Sequence, residues 1–167
     1  MADFKIKYGT PADLTITLAS LASSTTRLAG RESTAIDNSS NLYVDALVSG
    51  KITTAGTLTA NRRIEIWVYA QHDDTPTYMD VLDGTDSDET FAVEAQRNSA
   101  MRLAAMILLP DTTARTYWFA PFSVAALFGG VMPKRWGIWV TQDSGAALSA
   151  TGSDHDISYI GIHGQSV

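Results

Sequence analysis

Arg63-Ile64-Glu65-Ile66-Trp67-Val68-Tyr69-Ala70-Gln71 reads as a β-strand with two unlike faces. Side chains alternate across an extended chain, so Ile64, Ile66, Val68 and Ala70 share one face and Arg63, Glu65, Trp67, Tyr69 and Gln71 the other. The first row suits a buried core. The second begins charged and ends aromatic, which marks a face that something else partly covers. On this reading Ile66 belongs to the core, and Glu65 is a surface residue whose loss scarcely matters.

The same alternation recurs in both directions. Leu14, Ile16 and Leu18 interleave with Thr15 and Thr17, predicting a half-buried strand. Leu42 to Val48 predicts another, with Leu42, Val44, Ala46 and Val48 on one face. Ser49-Gly50 then predicts a tight turn into Lys51 to Thr54. Downstream, His72 to Glu89 is polar and acidic, interrupted by Tyr78-Met79 and Val81-Leu82, and reads as a long loop with one short strand. Phe91, Glu94 and Arg97 fall at helical spacing within Thr90 to Ala100. Further strands are expected at Arg102 to Leu109, Arg115 to Phe119, Trp136 to Gln142, Ala146 to Ala150 and Ile157 to Ile162. Pro121 to Phe128 suits one helical turn ended by Gly129-Gly130.

About eight short strands separated by Gly, Ser, Asn and Asp turns predict an all-β chain. The expected architecture is a jelly-roll-like antiparallel β-sandwich with at most one or two short helical turns, since two sheets can bury each other's apolar faces. Residues 14–167 form the single domain. Residues 1–13 read as an extended N-terminal arm, with Phe4, Ile6 and Tyr8 on one side and Asp3, Lys5 and Lys7 on the other. Such an arm either adds a strand to a neighbouring subunit or pairs within its own sheet.

Composition narrows the function. The 167 residues carry a net charge of −6 with the basic residues scattered, which disfavours nucleic-acid binding. With no Cys there is neither a disulfide framework nor a thiolate zinc site. The amino terminus lacks the apolar core of a signal peptide, and the longest apolar run, Leu103 to Leu109, is far too short for a membrane span.

Candidate chemical sites each have a plainer explanation. Asp80, Asp83, Gly84, Asp86, Asp88 and Glu89 are acidic enough to suggest calcium but lack the EF-hand order, and a solvated loop is expected. His155, between Asp154 and Asp156, and His163 do not form a convergent ligand set. Glu65 and Asp45 could pair across a sheet as glycosidase carboxylates do, but any β-protein supplies such pairs. Nucleophile elbows and zinc-protease motifs are absent from the sequence. The expectation is a protein that is not an enzyme and uses no cofactor or metal. The aromatic residues Trp67, Tyr69 and Trp139 lie opposite apolar rows on their strands. A loop of the same chain, a neighbouring subunit or a stacked sugar ring would cover them. With Phe4, Ile6 and Tyr8 they make up the candidate interaction residues.

Three stretches resemble small structural proteins of tailed bacteriophage virions: Ala120-Pro121-Phe122-Ser123-Val124-Ala125-Ala126-Leu127-Phe128-Gly129-Gly130, Met132-Pro133-Lys134-Arg135-Trp136-Gly137-Ile138-Trp139-Val140 and Asp143-Ser144-Gly145-Ala146-Ala147-Leu148. Leu14 to Leu21, Arg27 and Ser33 to Asn38 are similar to the opening of those proteins. The resemblance implies a virion role, and small size and sandwich form suggest a capsid decoration (cement) protein. Its partner would be the major capsid protein or another virion protein, and the protein would assemble in the host cytoplasm as a homo-oligomer. The alternative is a carbohydrate-binding β-sandwich module of a phage tail or accessory protein.

Overall fold

The computed structural model describes residues 3–75 and 77–166. The strands are β1 (Phe4–Tyr8), β2 (Ala12–Asp13), β3 (Ala29–Glu32), β4 (Ile36–Asp37), β5 (Asp45–Thr53), β6 (Arg62–Ala70), β7 (Asp88–Thr90), β8 (Arg102–Leu109), β9 (Thr116–Ser123), β10 (Arg135–Gln142) and β11 (Asp156–Ser166). Two short helices, α1 (Glu94–Ala100) and α2 (Val124–Leu127), interrupt them.

One antiparallel sheet has five strands in the order β1-β11-β5-β9, with β2 also on β11. The other has six in the order β7-β3-β10-β6-β8, with β4 also on β10. The chain crosses between sheets at six of its ten strand connections, while β1–β2, β3–β4 and β6–β7–β8 each stay within one sheet. Two antiparallel sheets joined by such crossings make a jelly-roll-like sandwich. The core lies between the sheets: Ala46, Val48, Ile52, Phe119, Ile157 and Tyr159 face Ile64, Ile66, Val68, Ile107, Trp136, Ile138 and Val140. The two rows read from β6 and β10 are therefore the two faces of real strands.

Local chemistry explains the interruptions. Ser123 caps α2, its hydroxyl accepting from the Ala126 N–H at 3.0 Å, and Gly129 and Gly130 end the turn at φ of 72° and 88°. Of the residues read at helical spacing in Thr90 to Ala100, Glu94 and Arg97 fall in α1 with Arg97 buried, whereas Phe91 is buried just before the cap Val93.

Other expectations are corrected. Ser49-Gly50 is no turn: β5 runs straight through it. A Cβ on Gly50 would stand 2.2 Å from the Asp156 carbonyl oxygen, so this glycine serves close approach of β11. Leu14 and Leu18 are buried, yet Leu14 to Leu18 forms no strand. Its backbone partners scatter, Leu14 N–H to the Ile157 carbonyl, Thr15 carbonyl to the Thr34 N–H and Thr17 N–H to the Asp86 carboxylate, so no ladder develops. Leu42, at φ 55°, belongs to a turn, and both it and Val44 are exposed. Ala146 to Ala150 contributes one isolated bridge, Leu148 with Thr54. Tyr78 to Leu82 is irregular chain with Tyr78 and Leu82 buried and Met79 exposed, and the strand of that loop is β7 further on. Residues 4–8 are extended as anticipated, and they pair with β11 of their own sheet, Tyr8 opposite Ile162.

Candidate interaction surface

The outer face of the six-stranded sheet is covered from within the chain. The excursion from β6 to β8, residues 71–101, folds back over it and pairs β7 with β3. Beneath it Trp67, Tyr69 and Trp139 join Tyr78, Leu82, Phe91 and Met101 in a second apolar cluster. Phe91 meets Trp139 edge-on at 5.5 Å, and Tyr78 meets Tyr69 at 5.3 Å. Trp67, Tyr69 and Trp139 retain only 7 %, 0 % and 0 % exposure, so these three candidates are withdrawn from any outside partner.

A charged cluster locks one side of this cover. Glu65 is buried, and its carboxylate accepts from Arg63 Nε at 2.6 Å and Trp67 Nε1 at 3.0 Å, with Arg27 Nε at 3.1 Å. Arg97 Nη1 lies 3.7 Å from the same carboxylate, and its guanidinium sits 4.7 Å from the Trp67 ring centre. Arg27 also reaches the buried Asp143 at 2.8 Å. Burial lowers the Arg97 pKa, with Glu65 and Glu94 opposing that shift. The surface role read for Glu65 is thus wrong, because the segment before β3 and the excursion bring Arg27 and Arg97 over it, beside Arg63 of its own strand.

Glu32 fastens the other side. It is fully buried, and its carboxylate accepts from the N–H groups of Asp83 at 3.1 Å and Gly84 at 2.7 Å. Burial pushes its pKa up to about 7, against the pull of those N–H groups. Of the acidic stretch, Asp83 and Glu89 bring ligand atoms within 4.8 Å of Glu32 and of one another, whereas Asp86 and Asp88 pair with Arg31. Both Glu32 oxygens are already engaged by the backbone, so the group acts as a clip for the turn.

The remaining suspected sites disperse. Asp45 and Glu65 lie on different sheets, and Asp45 accepts from the Ser123 hydroxyl and the Ala125 N–H at the start of α2. His155 is tied to the Ser149 carbonyl and the Thr53 N–H. His163 stands 5.7 Å from the Tyr43 ring.

Among the described residues, the outer face of the five-stranded sheet has no counterpart of the 71–101 cover. Register places Tyr8 opposite Ile162, Ile160 opposite Leu47, Ser158 opposite Ser49 and Lys51 opposite Trp118, all on this face. Ile6, Tyr8 and Trp118 stay 65 %, 62 % and 72 % exposed, while Leu47, Ile160 and Ile162 are half-buried. Lys51 Nζ sits 6.0 Å from the Trp118 ring centre, at the outer limit of a cation–π contact. Of the candidates from the amino-terminal segment, Ile6 and Tyr8 fall on this surface, and the Phe4 side chain lies outside the described residues. Trp118 was missed: Tyr117-Trp118-Phe119 is aromatic on both faces, so alternation cannot say which ring is bare. No family model, curated protein or solved structure matches this chain.

Proposed function

We propose that this protein is a structural component of a bacteriophage virion, a capsid decoration protein that grips the major capsid lattice. The observation that carries the reading is the asymmetry of the two outer faces. One is covered over β3, β10 and β6 by the chain's own excursion, residues 71–101, rich in Asp and Glu, and stays open only along β8; the other leaves Ile6 and Tyr8 bare beside half-buried Leu47, Ile160 and Ile162, and Trp118 bare beside Lys51. Exposed aromatic and aliphatic side chains set among polar ones on one sheet face suit a protein-binding surface, and aromatic residues dominate such surfaces energetically. Jelly rolls occur in capsid and lectin proteins alike, so the fold agrees with this reading without deciding it. Many copies on one lattice would gain retention from multivalency. The glycan-binding alternative loses Trp67, Tyr69 and Trp139, the residues that would have formed its stacking platform.

The test is co-sedimentation with particles that lack the protein. Saturation at hundreds of copies per particle is expected. Trp118→Asp and Tyr8→Asp should each weaken binding by about 30-fold, the equivalent of ~2 kcal/mol for an aromatic anchor. Saturation at a handful of copies, or unchanged binding by both variants, would remove the capsid-lattice reading.

A further inference from the structure

An open sheet edge is a template for pairing, and proteins blunt the edges they leave unused with charge, proline, short strands or bulges. The terminal strands of the two sheets are β1, β9, β7 and β8. β1 carries the exposed Lys5 and Lys7. β7 has only three residues and holds Asp88 and Glu89. β9 contains Pro121, which lacks an N–H, and its register with β5 shifts between Val48 and Gly50. β8 differs. Its one irregularity lies at Ala104, and from Ala105 to Leu109 it is regular, uncharged and free of proline. Met106 and Leu108 stand 48 % and 68 % exposed on it.

We propose that β8 is a dimerisation edge, pairing antiparallel with β8 of a second copy of this chain about a two-fold axis. Self-pairing of the regular stretch, centred on Ile107, sets Met106 opposite Leu108 of the other copy and Ala105 opposite Leu109. Apolar side chains meet apolar side chains, and no charge faces its like. The ends of the strand complement each other in charge. The Arg102 guanidinium, before the stretch, bonds only the Met101 carbonyl among the described residues, while Asp111 follows the stretch. Antiparallel pairing brings Arg102 of each copy alongside Asp111 of the other, so the contact is made twice. The five-stranded outer face is untouched by this arrangement, which therefore stands independently of particle binding.

Sedimentation equilibrium on the full chain should give a dimer. Met106→Lys and Leu108→Lys change exposed positions and should keep the melting temperature while weakening the dimer more than about tenfold, since like charges then approach across the axis. Because the chain contains no Cys, single thiols report the register without background. Met106→Cys mixed with Leu108→Cys should form a mixed disulfide on mild oxidation. Leu42→Cys mixed with Ile6→Cys, both exposed and neither on the sheet that holds β8, should not. A monomeric wild type, a dimer unchanged by both lysine variants, or equal cross-linking by the two cysteine pairs overturns the proposal. If a lysine variant fails to fold, the cysteine pair decides alone.

Discussion

At the residue scale the two buried carboxylates behave differently. Glu65 lies among Arg27, Arg63 and Arg97, and removing it strands cations in a dry site. Glu65→Ala should cost about 3–5 kcal/mol, comparable to Ile66→Asp, which drives an unpaired carboxyl into the core. Denaturant midpoints measure both, and a Glu65→Ala midpoint equal to wild type would show that the cluster contributes nothing. Glu32 has backbone N–H partners and no described cation. Its pKa is raised to about 7 from the ordinary 4.5, so the folded chain holds a proton that the unfolded chain releases. Stability from this group is full below the unfolded value and is lost as pH rises through the folded one. Relative to Glu32→Gln, the wild type should therefore lose stability between pH 5 and pH 8. A pH-independent difference in urea midpoint would show that Glu32 does not titrate in that window.

At the element scale the 71–101 excursion is the feature that distinguishes this jelly roll. It adds a second apolar cluster on the outside of the six-stranded sheet, held by Glu32 at one side and the Glu65 cluster at the other. Phe91 anchors it, 1 % exposed and edge-on to Trp139. Phe91→Ala should cost about 3–5 kcal/mol. The loss should appear first as faster amide exchange in residues 78–101, with β5 and β11 still protected. Uniform acceleration across both sheets would mean that the cover and the sandwich unfold as one unit.

For the whole molecule, the consequence is a two-sided body with one face covered except along β8 and one bare face. β1 lies in the five-stranded sheet, and among its described side chains none belongs to the main core. Deleting residues 2–12 should therefore shift the melting temperature by only a few degrees, yet weaken particle binding by removing Ile6 and Tyr8. Collapse of the deletion variant would show that β1 shields the β11 edge and is needed for folding.

Alternation alone determined the sandwich and the inward rows of β6 and β10, because burial on one face imposes a period of two wherever a strand lies between core and solvent, while helical spacing and the Gly129-Gly130 stop located the two short helices. It also located Ile6 and Tyr8 on one side of an extended segment. Only the tertiary structure decided what lies on the second face. Trp67 and Trp118 are both aromatic residues on outward rows, and they differ solely in whether a distant part of the chain folds over them. Glu65 looked like a surface residue for the same reason, since Arg27 and Arg97 reach it from distant segments while Arg63 alone is its strand neighbour. Gly50 shows the limit from the other direction: a glycine before a charged residue suggests a turn, but here it admits the backbone of β11. Period and turn chemistry act over neighbouring residues, whereas cover, ion pairing and close approach depend on which distant segments the fold brings together.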